Sequence, residues 1–181
     1  MSMSSSRRFS KDFFTDRIPE LSAAIRNLDR SRTLNGEAIR YLEVGSMEGR
    51  SLLWMLDNGH CSEATCIDTW SDREHERNFD FNVAIAGYGP QVTKMRHQSC
   101  KALRWLPMDF FHIAYIDGCH EPINVLEDAV LVYRLVKRGG IIIFDDYLYK
   151  KVNIKDAIDR FIETYDLEVI LKSYQIAVKK G

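Results

Sequence analysis

The sequence predicts an α/β fold with a seven-stranded, mostly parallel sheet, helices on both faces and a reversed last strand. Strand-like apolar runs alternate with helical patterns in five successive units, as in folds built on a parallel sheet. The runs 110–116 and 141–144 are almost wholly apolar, which is typical of parallel strands covered on both faces. The final segments, 167–171 and 175–178, lie too close for a crossover helix, so the last strand is expected to be antiparallel.

Length and charge limit the classes of protein that fit. The chain has 181 residues, about one domain, and a net charge of −1. A near-neutral surface argues against a partner bound through bulk charge, so we expect no nucleic-acid partner. No apolar run approaches the roughly 18 residues of a membrane span and no leader is evident, which favours a cytoplasmic protein without a membrane partner.

The N-terminal region is predicted to lie outside the sheet. Residues 1–8 are polar and are expected to form a disordered tail, while residues 9–35 are expected to form a helical cap on a single domain. Pro19 can open a helix there, and Leu21, Ile25 and Leu28 recur on one face of it. This cap either covers the sheet or forms a lid on a substrate pocket or a contact in a homo-oligomer.

The core, residues 39–179, follows the alternating pattern in order. Its predicted elements are strand 39–44, helix 49–57, strand 64–68, a helix around 79–86, edge strand 91–97, a helix from Ser99, strand 110–116, a helix from Pro122 ending with Lys137 and Arg138, strand 141–144, helix 155–165 and the closing hairpin. The four cysteines have no metal-binding spacing and are expected to be reduced and unpaired.

The first strand runs into a glycine turn, Glu43-Val-Gly45-Ser-Met-Glu-Gly49, and then directly into a helix. A strand, tight turn and helix start can bring backbone N–H groups up to a nucleotide-like ligand. The spacing is not the dinucleotide pattern G-x-G-x-x-G, because Glu43 and Glu48 occupy positions that would need glycine. The alternative is a turn without a ligand.

A second candidate is Asp68, which ends the second strand. It follows Gly45 by about 20 residues, the offset at which related folds place a carboxylate on a ribose. The position at a strand end and the offset agree, so we predict ribose binding; the alternative is a solvated loop acid.

Further acids follow the two buried strands. Asp117 comes directly after the first, and Asp145 and Asp146 come after the second. If these strands are neighbours, their ends lie about 5 Å apart, and carboxylates that close repel each other unless they share a proton or a cation. Carboxylate oxygens suit Mg²⁺, Mn²⁺ or Ca²⁺. The alternative, that one aspartate caps the following turn, leaves the others unexplained.

Two longer patterns carry a family resemblance. Ile116-Asp-Gly-Cys-His120, followed by Lys137-Arg-Gly-Gly-Ile-Ile-Ile-Phe-Asp-Asp-Tyr147, resembles the metal-dependent small-molecule O-methyltransferases of the class I S-adenosylmethionine (SAM) methyltransferases. The acid two residues before Gly45 is similar to the first motif of that class. The resemblance spans residues 39–179 and implies the Rossmann-like sheet predicted above, although Cys119 and Glu121-Pro122 depart from the expected residues.

The resemblance also implies roles for individual residues. His120 would be the general base beside Asp117, and a divalent cation, Mg²⁺ in the first instance, would be held by Asp117, Asp145 and Asp146. The positions that would contact SAM are Glu43, Gly45, Ser46, Gly49, Ser51, Asp68, Thr69, Ser99 and Asp117. The alternative for His120 is a histidine at a helix start that bonds to backbone.

The expected function is therefore SAM-dependent, metal-assisted O-methylation of a small hydroxylated acceptor. The segments 69–82 and 147–153 are left to line the acceptor site. Two alternatives remain at this point: a SAM- or nucleotide-binding module without catalysis, and an NAD(P)-dependent oxidoreductase, which the glycine spacing and the closing hairpin disfavour.

Overall fold

A computed structural model describes residues 6–28, 37–151 and 153–181. Most of the predicted disordered tail, and the last part of the predicted cap, therefore lie outside the described residues. The division into a tail, a cap and a core stays a prediction. Among the described helices, none combines the length and apolarity that crossing a membrane requires.

Seven strands form one sheet in the order β3-β2-β1-β4-β5-β7-β6. Their bounds are β1 Arg40–Val44, β2 Glu63–Asp68, β3 Val92–Arg96, β4 Phe111–Ile116, β5 Val136–Phe144, β6 Glu168–Lys172 and β7 Ile176–Lys179. The first five strands run parallel to one another, whereas β7 runs antiparallel to both of its neighbours, β5 and β6. The predicted mostly parallel sheet with a reversed last strand is confirmed.

Helices cover both faces of this sheet. They are α1 Ile18–Ile25, α2 Arg50–Asp57, α3 Arg73–Ile85, α4 Ser99–Ala102, α5 Pro122–Leu135 and α6 Lys155–Tyr165. Side chains alternate along β1, so that Tyr41 joins a core cluster with α1, α2 and α3, while Leu42 and Val44 join a cluster with α5 and α6. The sheet therefore has an apolar core on each side.

The strand order determines where a ligand can bind. The chain extends the sheet from β1 to β2 and β3 on one side and returns to add β4 and β5 on the other. In open α/β sheets this reversal leaves a crevice beyond the carboxyl ends of the central strands. The ends of β1, β2, β4 and β5 are the places where the sequence has its glycine turn and its acids.

The boundary between α5 and β5 differs from the prediction. The helix ends at Leu135, and Val136 already pairs with Phe111 in the sheet. The buried ammonium group of Lys180 donates hydrogen bonds to the carbonyl oxygens of Tyr133, at 3.0 Å, and Val136, at 2.7 Å. Because a residue from the far end of the chain binds these carbonyls, the basic pair after Val136 is not needed to close the helix.

The N-terminal segment, residues 7–17, lies against the glycine turn and α2. Arg7 forms two hydrogen bonds with the carboxylate of Asp57. The backbone N–H of Ser10 donates to Glu48, a buried residue of the turn, at 2.7 Å. Arg7 and Arg8 were expected to belong to the tail, but contacts with the core hold both of them.

Asn82 on α3 makes the most extensive of these contacts. Its side chain is fully buried, donates to the carbonyl oxygens of Arg8, at 2.7 Å, and Glu48, at 3.0 Å, and accepts from the backbone N–H of Arg8 at 2.6 Å. One amide therefore binds the N-terminal segment and the glycine turn at the same time.

We expect Asn82→Ala to lower the free energy of unfolding by about 2 kcal/mol or more, because it leaves buried backbone groups without partners. Trypsin should also cleave faster at Arg7, Arg8 and Lys11. Urea unfolding and timed proteolysis measure the two effects. Asn78→Ala is the matched control, since Asn78 donates a single hydrogen bond to Glu48. Equal effects of the two substitutions would contradict this assignment.

Candidate active site

A cavity of about 940 Å³ opens at the carboxyl ends of the strands. Ligand sites in proteins commonly have this size. Its lining comes from the ends of β1, β2, β4 and β5, from the start of α4, from α5 and from the N-terminal segment. The residues discussed below are Phe13, Arg17, Gly45, Met47, Asp68, Thr69, Ser99, Asp117, His120, Asp128, Asp145, Asp146, Tyr149 and Tyr174.

The glycine turn brings β1 and β4 into close contact. Gly45 has φ +89°, and a Cβ atom at this position would lie 1.9 Å from the carbonyl oxygen of Asp117. Its N–H donates to the carbonyl of Ile67 on β2 at 2.8 Å. Gly49, with φ +79°, immediately precedes α2. Only glycine fits at position 45, because both the backbone angle and the neighbouring carbonyl exclude a side chain.

Asp68 lines the cavity and holds the glycine turn, while its binding to a ribose stays a prediction. Its two oxygens accept hydrogen bonds from the backbone N–H groups of Met47, at 2.8 Å, and Trp70, at 2.7 Å. Both of these residues adopt left-handed backbone angles, φ +44° and +40°, and the Trp70 indole donates to the Met47 carbonyl at 2.7 Å. Of the two, Met47 lines the cavity, and a strained backbone beside a cavity is a common sign of a functional site.

Glu43 does not line the cavity. It is fully buried behind the turn, where its carboxylate accepts hydrogen bonds from the hydroxyl groups of Tyr41, at 2.8 Å, and Ser51, at 2.5 Å. Burial raises the pKa of Glu43 above its ordinary value. The structure thus brings Glu43 and Ser51 together beneath the turn, and the contact of Glu43 with a cofactor stays a prediction.

The other predicted cofactor residues lie around the opening. Ser46 is buried beside a small recess under the N-terminal segment, next to the carboxylate of Glu43. Thr69 and Ser99 line the main cavity, and the Ser99 hydroxyl donates to Asp128 at 3.0 Å. Polar groups therefore surround the cavity along the ends of β1, β2 and β3.

On the side of β4 and β5, three side chains converge. The ligand atoms of Asp117, His120 and Asp146 all lie within 4.8 Å of one another. The Nε2 atom of His120 is 2.8 Å from an oxygen of Asp146 and 3.9 Å from one of Asp117. This nitrogen is buried but forms no aligned hydrogen bond among the described residues. Two carboxylates and an imidazole that converge in this way form a donor set that fits a divalent cation.

Asp145, the third predicted metal ligand, faces a different set of partners. One of its oxygens accepts from the Tyr115 hydroxyl at 2.8 Å, and the other accepts from the Gln175 amide at 3.1 Å. Burial raises the pKa of Asp145. The structure therefore brings together two of the three predicted metal-binding aspartates, with His120 in the place expected for Asp145.

The backbone at the end of β5 and a residue of the closing hairpin orient Asp146. Its backbone is left-handed, with φ +55°, which aspartate tolerates better than most residues. The Tyr174 hydroxyl, from the turn between β6 and β7, donates to one of its oxygens. The reversed strand thus supplies a residue that holds the acidic cluster.

Electrostatic interactions change the protonation of this cluster. Burial, together with the charges of Asp145 and Asp146, raises the pKa of Asp117 to about 8. The adjacent carboxylate of Asp117 and the charge of Asp146 raise the pKa of His120, against the opposing effect of burial. Without a cation, Asp117 therefore retains its proton near neutral pH, and His120 holds its proton to a higher pH than an ordinary imidazole does.

Two cavity residues, Arg17 and Tyr174, were not predicted from the sequence. Phe13 and Arg17 come from the N-terminal segment, and the Arg17 guanidinium stacks on the Tyr174 ring at 3.6 Å. Tyr149 lies 6.1 Å from the His120 ring, inside the segment that was expected to line the acceptor site. No local pattern marks Arg17 or Tyr174, because only the tertiary structure brings the two chain ends together.

The comparison with family models identifies the class of protein. Residues 42–147, more than half of the chain, match the model of the Methyltransf_24 family, described as a methyltransferase domain. The chain therefore belongs to this family, whose class is the SAM-dependent methyltransferases. This membership removes the NAD(P)-dependent oxidoreductase from the alternatives.

A curated relative and two solved structures resemble the chain. An uncharacterised protein of Acanthamoeba polyphaga mimivirus, R132, is 30% identical over 122 residues, which are 65% of this chain and 55% of that protein. The chain thus spans just over half the length of this relative. The O-methyltransferase TomG of Streptomyces achromogenes, solved with SAM, has a TM-score of 0.67 at 16% identity, covering 95% of this chain and 82% of TomG.

The second structure is an O-methyltransferase of Bacillus cereus in complex with S-adenosylhomocysteine (SAH). Its TM-score is 0.57 at 17% identity, and the match covers 95% of this chain and 93% of that protein. At such identities the likeness shows the fold alone.

Proposed function

We propose that this chain binds SAM and transfers its methyl group to a hydroxyl of a small acceptor, with a divalent cation bound at the acidic cluster. The observation that carries the proposal is the convergence of Asp117, His120 and Asp146 in the same cavity that the glycine turn and Asp68 line. A donor region and an acceptor region would thus share one cavity.

On the donor side, Asp68 would accept hydrogen bonds from the ribose hydroxyls. Its two oxygens each accept one backbone N–H, so each retains a lone pair that faces the cavity. Because Gly45 has no side chain, the turn presents only backbone here, and the amino acid part of SAM would lie beside it. Ser46, which lies beside a small recess next to the turn, would bind that part of the cofactor.

On the acceptor side, Asp117 and Asp146 would hold the cation. When bound there, a divalent cation neutralises the carboxylates and lowers the pKa of a coordinated acceptor hydroxyl. His120 faces the same point, and it would take the proton of that hydroxyl as general base. Asp145 stays buried with Tyr115 and Gln175, and so positions Asp146, its neighbour in sequence.

The cavity wall also positions the acceptor. Phe13, Tyr149 and Tyr174 provide ring surfaces around the acidic cluster, which suits a small molecule with an apolar body and neighbouring hydroxyls. Alignment of the hydroxyl with the S–CH₃ bond contributes much of the rate in such reactions.

Calorimetry with SAH, with and without Mg²⁺ or Mn²⁺, tests the donor and cation sites separately. We expect SAH to bind in both conditions and the metal to bind with release of protons, because cation binding displaces the protons that Asp117 and His120 retain. Repeating the titration in buffers of different ionisation enthalpy measures that release. Absence of SAH binding would refute the proposal as a whole. Absence of metal binding would refute only the proposed role of the cation.

If the chain were a module that binds SAM without catalysis, binding and activity measurements would give a different result. It would bind SAH, yet it would produce no methylated product from any simple diol in the presence of Mg²⁺ or Mn²⁺. Incubation with labelled SAM and a panel of catechols and sugars separates the two, with transfer of label to the acceptor as the expected result.

A further inference from the structure

A buried carboxylate, Asp128 on α5, lines the cavity but has no part in the proposed methyl transfer. Its exposed fraction is 1%, and the Ser99 hydroxyl donates to its Oδ2 at 3.0 Å. Among the described residues, no donor reaches the other oxygen, Oδ1. Burial of a carboxylate with one neutral partner is unfavourable, so a ligand that donates a hydrogen bond would stabilise it.

The location of Asp128 in the cavity suggests which part of the cofactor, the base, lies next to it. Asp68 and Arg96 are paired at the adjacent ends of β2 and β3, and the chain after β3 leads through Gln98 to Ser99 on the cavity wall. A nucleoside whose ribose binds Asp68 extends its base either toward Ser99 and α5 or toward the acidic cluster. Because the proposed transfer needs the sulfur near the acidic cluster, the base would lie beside the hydrogen-bonded pair of Ser99 and Asp128.

The surrounding charges favour a neutral donor as the partner of Asp128. No cationic side chain of the described residues forms an ion pair with it, and the neighbouring Glu127 already pairs with Arg104 at 2.7 Å. Burial raises the pKa of Asp128 to about 6, so the carboxylate is ionised at neutral pH and accepts hydrogen bonds only.

We infer that Asp128 recognises the exocyclic 6-amino group of the adenine of SAM, and that Ser99 fixes its carboxylate in place. This inference rests on the proposed function and adds a residue that selects adenine over other purines. A carboxylate accepts from the 6-amino group of adenine but repels the 6-oxo group of hypoxanthine, which is itself an acceptor. A site built for one hydrogen-bonding pattern rejects the opposite one strongly.

The test measures the dissociation constants of SAH and of S-inosylhomocysteine, which differ at position 6 of the purine. The wild-type protein should prefer SAH by roughly 10- to 100-fold, the range expected for a hydrogen bond to a charged group. In Asp128→Asn, the amide can rotate and donate to the 6-oxo group. The preference should therefore fall to less than about threefold or reverse, while the affinity for S-inosylhomocysteine rises.

Glu127→Gln is the matched control, because it makes the same chemical change one residue away at a carboxylate that pairs with Arg104. Its preference for SAH should equal that of the wild type. Ser99→Ala should reduce the preference in part, since the carboxylate keeps its charge but loses its fixed orientation. Thermal melting of each variant establishes that it is folded.

The outcomes separate this inference from the proposed function. If the wild-type protein binds neither compound, the proposed function fails. If it binds SAH and the variant Asp128→Asn keeps the full wild-type preference, the assignment of Asp128 is overturned while the proposed function stands. A wild-type protein that binds both compounds equally overturns the assignment as well.

Discussion

Asp146→Asn is expected to reduce kcat/KM for methyl transfer by a factor of about 100 or more, with the dissociation constant of SAH changed less than about threefold. Asparagine has nearly the same shape and also tolerates the left-handed backbone at this position, φ +55°. The substitution therefore removes negative charge from the acidic cluster without moving the end of β5. The dependence of the rate on added Mg²⁺ or Mn²⁺ should be lost together with the rate.

Asp166→Asn provides the matched control for this prediction. Asp166 also has a left-handed backbone, φ +49°, but it follows the last residue of α6, away from the cavity. Its substitution should leave both the rate and SAH binding at wild-type values. Full activity of Asp146→Asn would contradict the cation site at Asp117 and Asp146, and loss of SAH binding would assign Asp146 to the donor side.

Gly45→Ala is expected to lower the melting temperature strongly and to abolish SAH binding. The added Cβ would lie 1.9 Å from the Asp117 carbonyl oxygen and 2.5 Å from its carbonyl carbon, both of them backbone atoms. Relief of this overlap requires separation of β1 from β4, which are paired along most of their length. The left-handed angle, φ +89°, adds a cost of roughly 1–2 kcal/mol for any residue other than glycine.

Gly87→Ala separates the steric clash from the cost of the left-handed backbone angle. Gly87 also has a positive φ, +77°, but a Cβ there meets no atom within 4 Å. Its substitution measures the cost of the backbone angle without a steric clash, so the difference between the two variants reports the contact with Asp117. Comparable melting temperatures, or retained SAH binding in Gly45→Ala, would show that the turn can open without loss of the site.

The described part of the chain agrees with most of the elements predicted from local patterns, although α5 ends earlier than its basic pair indicated. Apolar runs gave β4 and the end of β5, and the spacing of the last two strands gave the reversed strand. Asp68, Asp117 and Asp146 are found at one cavity because parallel strands place their carboxyl ends along a common edge. These features depend on strand periodicity and direction, which neighbouring residues largely specify.

Features that depend on contacts between residues far apart in sequence could not be predicted from local patterns. Two adjacent aspartates look equivalent in the sequence, but Tyr115 and Gln175 bind Asp145 while Tyr174 binds Asp146. The left-handed backbone at Asp146 then separates the directions of the two side chains. The partners from the closing hairpin reach the site only because β7 inserts between β5 and β6.

The sequence by itself determined the α/β sheet, the glycine turn and the edge of the sheet that carries the acids, because periodicity and glycine geometry act over a few residues. Only the tertiary structure decided that His120 joins Asp117 and Asp146, that Glu43 is buried behind the turn, and that the N-terminal segment closes one side of the cavity. Those outcomes depend on burial and on hydrogen bonds between distant segments. Asn82, which binds Arg8, and Gln175, which binds Asp145, show how single buried amides make such connections.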